Sequence, residues 1–316
     1  MSLAISGLKS GAVGVTVLFS KLYDQMVKGN SIADGIAQRV PAKGRQRIQR
    51  LAWGEAFPQM RRWVGDRILQ EVFKEEILIE IDAFEVTYGV DFVDMEIDGD
   101  NAVLNIQDVA KHFVTGYEAG IASRAYEPLR KNQLSYDGQN LFDTDHVHPD
   151  GDTGSNILDL SDLSISRSTA GVPTMEEADR ELSYAESKLE ENRLRVADIT
   201  EIADQQLVVV CKSIGTWRGY RALQKRTLFP DGSANERRGT FRLMRDWSPE
   251  SGDEAKVDVI SATPGGPRPS VLIEVQRPGA IEVDRPSKLA RKGAIGNHGI
   301  YGFGAGFWQA AVRLQA

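Results

Sequence analysis

The clearest pattern in the chain is an alternation of apolar and polar residues between positions 77 and 92. Isoleucines occupy positions 77, 79 and 81, and apolar residues then occupy the even positions from 84 to 92. A period of two predicts a long β-strand. The parity changes near Asp82 and Ala83, which predicts a bulge or a bend where the strand passes from one layer to another.

Two helical patterns follow. Apolar residues recur every three or four positions over residues 106–121, which predicts an amphipathic helix with Asn105 as its N-cap. Pro128 is expected to end or kink that helix. Thr174 and Glu177 have the spacing of a capping box and predict the start of a second helix.

Shorter patterns predict the remaining elements. Strands are expected at 206–212, 239–247, 256–262 and 270–277, a helix at 215–226, and a glycine-bent strand at 301–314. The first fifty residues contain only short apolar patches, so we expect an arm that buries little within its own chain. The fold class is therefore α+β.

Residues 51–70 combine aromatic and arginine side chains without a helical or strand period. The side chains concerned are Trp53, Phe57, Arg61, Arg62, Trp63 and Arg67. This composition is typical of an exposed loop that meets another protein surface. The alternative is a loop that packs on its own domain.

A basic cluster precedes this loop and consists of Lys43, Arg45, Arg47 and Arg50. Such a cluster contacts nucleic acid or acidic neighbours, or it is a solvated basic strand. The whole chain of 316 residues has a net charge of -7, which argues against a dedicated nucleic-acid-binding protein.

The composition excludes several other classes. No apolar run approaches the ~20 residues of a membrane helix, and no basic leader precedes the apolar residues near the start, so neither a membrane span nor export is expected. The single cysteine, Cys211, excludes intramolecular disulfides and is predicted to be a buried, unreactive thiol.

The segment 136–152 holds the best candidate for chemistry, because His146 and His148 lie among five aspartates. Two histidines and a carboxylate would suit zinc or manganese in a metal-dependent hydrolase. The spacing offers no clear third ligand, and Asp-Gly and Pro-Asp-Gly are also common turn sequences. The glycines at 302, 304 and 306 lack the strand–helix context of a dinucleotide site. We expect no active site and no cofactor.

Three local motifs resemble the Mu-like phage major head subunit family, also called the gpT family. The first is a G-x-x-x-P-x-x-x-x-W-V-G-x-R stretch at residues 54–67, the second is YDGQNLFDTDH at 136–146, and the third is G-x-G-F-W-Q at 304–309. The resemblance covers residues 45–160 by sequence and the rest by the order of elements.

The resemblance implies the tailed-phage major capsid fold of the Hong Kong ninety-seven type. It implies an N-terminal arm (1–47), an extended β-hairpin loop (48–83), a peripheral domain (84–171 and 283–316) containing the long spine helix, and an axial domain (172–282).

The implied function is that of a major capsid protein, which is not an enzyme. It would assemble in the host cytoplasm into pentamers and hexamers of an icosahedral shell, the virion capsid, around double-stranded DNA that it contacts weakly. Portal, scaffold and decoration proteins are the implied partners. The loop residues would contact a neighbouring subunit, and the basic cluster would face the lumen. An encapsulin-like compartment shares the fold and remains an alternative.

Overall fold

The computed structural model describes residues 20–25, 32–44, 46–54, 74–91, 102–148, 151–163, 165, 167, 172–197, 206–246, 256–262, 267–279, 282–284 and 292–315. The helices include α1 (Ile32–Ile36), α2 (Ala102–Arg130), α3 (Met175–Ala197) and α4 (Ile214–Lys225), with a 3₁₀ turn at Trp308–Ala310. None of these described helices is both long enough and apolar enough to cross a membrane.

The strands form two main sheets and a short hairpin. They are β1 (Ala37–Pro41), β2 (Ile48–Gly54), β3 (Lys74–Asp91), β4 (His146–Val147), β5 (Thr153–Gly154), β6 (Ile157–Asp159), β7 (Leu207–Cys211), β8 (Phe241–Arg245), β9 (Val257–Ser261), β10 (Ser270–Gln276), β11 (Glu282–Asp284), β12 (Lys292–Ala305) and β13 (Ala311–Gln315). One sheet has the order β1-β10-β12-β3-β2, with β11 beside β12, and the other has the order β6-β13-β9-β7-β8. The α+β prediction is confirmed.

Helix α2 packs against both sheets. Its buried residues Phe113 and Tyr126 share one core with Leu272 of β10 and with Val208 of β7. Helices α3 and α4 cover the opposite face of the five-stranded sheet, where Val209 belongs to a second core. Strand β7 is therefore buried on both faces, which explains its unbroken run of apolar residues.

Strand β3 confirms the predicted long strand, but the predicted bulge is wrong. The pairing with β12 runs without a register shift from Ile81 to Asp91, and residues 74–80 pair with β2 instead. Ile79 and Ile81 pack on one side of the sheet, whereas Phe84 and Val86 pack on the other side, near α2. The parity changes because different stretches of one continuous strand are covered on different faces.

The limits of α2 also differ from the prediction. The helix begins at Ala102, so Asn105 lies inside it and is not the N-cap. Pro128 lies in the last turn, and the helix continues to Arg130. Pro128 cannot donate the backbone hydrogen bond to the carbonyl of residue 124, and the helix ends two residues later.

The expectation that the first fifty residues bury little is wrong for residues 32–41. Ile36 of α1 is fully buried, and β1 pairs in parallel with β10 at the edge of the larger sheet. This segment is therefore part of the sheet and core of its own chain. The short helical segment 20–25 also reaches the core through Tyr23, whose hydroxyl lies 2.8 Å from that of Tyr301.

The remaining predicted elements are largely confirmed. The capping box at the start of α3 is present, since Thr174 N–H donates to Glu177 Oε2 at 2.7 Å and Glu177 N–H donates to Thr174 Oγ1 at 3.2 Å.

Cys211 is fully buried, and this burial raises the pKa of its thiol. The C-terminal segment is not one bent strand. It consists of β12 and β13, which the 3₁₀ turn sends into different sheets.

Candidate assembly interface

The base of the predicted extended loop is an antiparallel pair formed by β2 and the first half of β3. Leu51 and Ile79 point to one side and join a small core beneath the larger sheet. The opposite side exposes two large apolar side chains, Ile48 (51%) and Leu78 (61%). This two-stranded base thus has one face packed on its own chain and one face open to a partner.

A buried glutamine closes the turn that leads into β2. Gln49 Nε2 donates to the carbonyl oxygens of Gly44 and Gln46, and Gln49 Oε1 accepts a hydrogen bond from Lys43 N–H at 3.0 Å. One buried side chain thus satisfies three backbone groups of residues 43–46 and fixes the turn that enters β2.

The predicted basic cluster is partly neutralised on this hairpin. Arg47 forms an ion pair with Glu80 at 2.9 Å, and Arg50 lies 3.6 Å from Glu76. All four side chains are more than half exposed, so these pairs add little stability. Lys43 is exposed, whereas Arg45 lies outside the described residues. The lumen-facing orientation of the cluster stays a prediction.

The predicted interface residues are mostly outside the described part of the chain. Trp53 lies in β2 with its backbone opposite Glu75, but its side chain is not described. The residues outside the described ranges are Phe57, Arg61, Arg62, Trp63 and Arg67. Their contacts with a neighbouring subunit stay a prediction.

A groove between α2, β3 and β12 is a feature that sequence reasoning missed. It consists of two adjoining cavities of about 200 Å³ and 260 Å³, which share Phe84, Arg124, Tyr301 and Phe303. Gly116 and Gly120 also line it, and they lie four residues apart on one side of α2. A side chain at Gly120 would meet open space, so the missing side chains leave the groove open. This glycine pair was the available sequence signal.

The groove has apolar walls and an acidic end. Glu80, Asp82 and Glu127 line the larger cavity. Arg124 crosses it, donating to Glu127 Oε2 at 2.8 Å while its guanidinium lies 5.4 Å from the centre of the Phe84 ring. Partial burial opposes ionisation of Glu127, but hydrogen bonds from Lys131 and Arg124 hold its pKa below the usual value. The carboxylate is therefore charged at neutral pH.

The two candidate metal ligands pack against an aromatic ring. His146 Nδ1 lies 2.6 Å from Asp137 Oδ2, and its ring stacks on Trp308 with 4.0 Å between centroids. The His148 ring centre lies 4.9 Å from the same indole, and a Cβ at Gly154 would collide with His148 Nε2. Both histidines are buried within the β4–β5 hairpin. This packing supports the turn interpretation of the segment.

The described residues contain no cluster of three or more histidine, cysteine, aspartate or glutamate side chains placed to hold a metal ion. The nearby aspartates instead interact with protein groups. Asp143 Oδ1 accepts from Thr144 N–H at 2.7 Å, and Asp137 Oδ1 accepts from Gln139 N–H at 3.2 Å.

A buried charged network joins α2 to the five-stranded sheet, and it too was missed. Arg313 of β13 forms a bidentate ion pair with Asp258 of β9 at 2.7 and 2.8 Å, and Tyr126 of α2 donates to Asp258 Oδ2 at 2.5 Å. Arg130 and Asp246 form a second bidentate pair. Burial, and then the charge of Asp258, raise the pKa of Tyr126 well above its usual value. The phenol therefore stays a hydrogen-bond donor.

Comparison with known structures identifies the fold. A subunit from the procapsid of bacteriophage JBD30 matches the whole of this chain and 76% of its own, at 18% identity and a TM-score of 0.51. The capsid subunit of the cyanophage P-SCSP1u matches 89% of this chain and 86% of its own, at 9% identity and a TM-score of 0.50. The expected tailed-phage capsid fold is confirmed.

Sequence comparison agrees. The major capsid protein of Escherichia phage Mu is 32% identical over 131 residues, which are 38% of this chain and 40% of the length of that protein. The family model of the Mu-like prophage major head subunit gpT matches residues 12–169. The motifs at 54–67 and 136–146 lie within this match. The chain therefore belongs to the Mu-like prophage major head subunit gpT family, a family of structural proteins and not of enzymes.

Proposed function

We propose that this protein is the major capsid subunit of a tailed phage or prophage, and that it assembles into the pentamers and hexamers of an icosahedral shell around DNA. The observation that carries the proposal is the match of residues 12–169 to a head-subunit family. The likeness of the whole chain to a procapsid subunit supports the same fold over its full length.

The extended loop would provide a main contact between subunits. Its aromatic and arginine residues, Trp53, Phe57, Arg61, Arg62, Trp63 and Arg67, are of the types that concentrate binding energy in protein interfaces. The exposed Ile48 and Leu78 at the hairpin base extend the apolar surface available to a neighbour. Many such contacts, each of modest strength, stabilise a closed shell through multivalency.

The groove between α2 and β3 is suited to receive that loop from a neighbouring subunit. A cavity of about 150 Å³ in a protein core accommodates a benzene ring, so a space of about 200 Å³ admits an aromatic side chain. Asp82, at the acidic end of the groove, complements a loop whose residues 61–67 hold three arginines and one aspartate.

The charge of the chain is consistent with a shell that holds DNA without binding it tightly. The net charge of -7 repels phosphate, and Arg47 and Arg50 are already paired with glutamates. We infer weak, non-specific contact with packaged DNA, through Lys43 and Arg45 foremost. Portal, scaffold and decoration proteins would be further partners. The protein would act in the virion, after assembly in the host cytoplasm.

The two alternatives are less well supported. An encapsulin-like compartment shares the fold, but the family match is to phage head subunits. A hydrolase would need His146 and His148 to reach a metal ion and substrate, whereas both are buried beside Trp308.

Electron microscopy of the purified full-length protein tests the proposal, and closed shells are the expected result. Trp63→Ala combined with Arg62→Ala should leave a folded subunit that does not build shells, because the loop loses an aromatic and a cationic anchor. Leu134→Ala is the control, since Leu134 is exposed (64%) but outside the loop. Normal shells from the double variant would exclude the loop interface.

A further inference from the structure

Helix α4 presents a narrow exposed stripe that nothing in the described part of the chain covers. Ile214, Trp217, Arg221 and Lys225 follow one another at three- or four-residue spacing, and Arg218 lies four residues after Ile214, so all five lie on one side of the helix. Ile214 is 46% exposed, Trp217 is half-buried and the three cations are exposed. We call these five residues the α4 stripe.

The stripe is held rigidly by the opposite side of the helix. Ser213 caps α4 by accepting a hydrogen bond from Thr216 N–H at 3.0 Å, and Tyr220 donates to Glu181 of α3 at 2.6 Å. Gly219 packs so closely on Pro173 that a Cβ there would collide with the Pro173 carbonyl oxygen. The exposed side chains therefore project from a fixed backbone, which lowers the entropy that binding would cost.

The stripe combines an apolar end with a cationic end. Arg221 lies over the Trp217 ring, with 4.6 Å from its guanidinium carbon to the ring centroid. Helix α4 contains no acidic residue. In the described part of the chain, Arg218, Arg221 and Lys225 form no ion pair. Three exposed cations that have no carboxylate partner among the described residues, next to the half-buried Trp217 indole, indicate an interaction surface.

Helix α3 carries the complementary surface. Residues 175–192 contain seven acidic and two basic side chains. The exposed side of α3 carries one cation, Arg180, and four side chains that are candidates for the contact: Glu176, Tyr184 (44% exposed), Glu190 and Glu191. Glu176 and Glu190 have no ion-pair partner among the described residues. We call these four residues the α3 stripe.

The two stripes belong to one packed unit, because α3 and α4 lie side by side on the same face of the five-stranded sheet. A contact between the α4 stripe of one copy and the α3 stripe of the next uses two different surfaces. Such a head-to-tail contact closes into a ring when the rotation from one copy to the next divides a full turn. Trp217 and Tyr184 would provide the aromatic contacts, and the cations would face the glutamates.

We propose that the α4 stripe docks onto the α3 stripe of a neighbouring copy, an inference that rests on the proposed assembly of the chain into a shell. A second copy is a better occupant than nucleic acid because Ile214 and Trp217 need an apolar partner. The chain itself also supplies a mainly acidic surface on α3. Nucleic acid binding is the competing outcome of the test.

Charge reversal in the full-length protein tests the contact. Arg218→Glu with Arg221→Glu, and separately Glu176→Arg with Glu190→Arg, should each leave a folded subunit. Each should lower the fraction sedimenting as capsomers or shells by about tenfold or more, because like charges then face each other. The chain with all four changes should recover assembly. Lys21→Glu is the control, since it makes the same charge reversal at an exposed residue outside both stripes and should not impair assembly.

The outcomes separate the two proposals. A wild-type chain that stays monomeric overturns the proposed function and this contact with it. Normal wild-type shells together with a quadruple variant that does not recover overturn the contact alone. The α4 contact is also overturned if the Arg218→Glu, Arg221→Glu variant assembles normally but loses binding to duplex DNA that the wild-type protein shows.

Discussion

Buried charged side chains hold α2 against the five-stranded sheet. Asp258 accepts hydrogen bonds from both Arg313 and Tyr126, and all three are almost inaccessible to water. The Arg313 guanidinium also lies 3.8 Å from the centre of the Phe142 ring. Burial opposes the charge of Arg313, but the Asp258 carboxylate raises its pKa, so the guanidinium stays protonated.

The first prediction concerns this ion pair. Asp258→Ala should lower the free energy of unfolding by about 3–5 kcal/mol, because it leaves the Arg313 charge buried without a partner. Urea unfolding of the unassembled subunit measures the change. Glu80→Ala, which removes the exposed partner of Arg47, should have little effect. Equal losses in the two variants would contradict the role of burial.

At the scale of elements, β3 and β12 pack closely because β12 supplies glycines opposite isoleucines. A Cβ on Gly304 would lie 2.7 Å from Ile79 Cγ1, and a Cβ on Gly302 would collide with the end of Ile81. A Cβ on Gly306 would lie 2.5 Å from the carbonyl oxygen of Arg268. The glycine series at 302–306 therefore provides space for neighbouring groups.

The second prediction follows from this packing. Gly304→Ala should destabilise the subunit by about 1–3 kcal/mol, as an overpacked core does, and Ile79→Val in the same chain should restore part of the loss. The midpoint of urea unfolding measures both effects. Gly89→Ala is the control on β3, because a Cβ there has no neighbour within 4 Å. An unchanged midpoint of urea unfolding in the Gly304→Ala variant would show that Ile79 can move aside without a loss of stability.

The third prediction concerns the groove beside α2. Gly120→Ala should stabilise the subunit by up to about 1 kcal/mol, because alanine favours a helix and its Cβ meets open space. Gly120→Leu should also fold, but its larger side chain would occupy the groove and reduce shell formation. Thermal unfolding and particle counts by electron microscopy compare the two. Full assembly of the leucine variant would exclude the groove as the receiving surface.

At the scale of the whole molecule, the core is assembled from distant parts of the chain. One cluster contains Tyr23, Phe113, Val208 and Trp308, so it draws on residues from both ends of the described chain. Strand β12 is central to this arrangement, because it pairs with β10, β3 and β11. Folding of the N-terminal half of the chain therefore depends on the C-terminal half.

The fourth prediction tests this dependence. A chain ending at Asp284 should not unfold cooperatively, because it lacks β12 and β13, so β3 retains only β2 as a partner and β9 retains only β7. Circular dichroism during urea titration provides the measurement. A chain lacking Ala316 alone serves as the control and should unfold as the full chain does. A cooperative transition in the shortened chain would show that residues up to 284 fold independently.

The local patterns of the sequence determined most of the elements. The period of two predicted β3, the apolar run predicted β7, and the Thr174–Glu177 box predicted the start of α3, because backbone geometry and capping involve residues close in sequence. Motifs at 54–67, 136–146 and 304–309 were sufficient to identify the family. The turn interpretation of the segment around His146 also came from local composition.

Only the tertiary structure decided how these elements meet. The change of partner within β3, the stacking of His146 on Trp308 and the buried Asp258–Arg313 pair all join residues that are far apart in sequence. A periodic pattern shows that a face is buried but does not identify what covers it. For the same reason the groove beside α2 and the charged stripes of α3 and α4 emerged only when packing showed which side chains remain exposed.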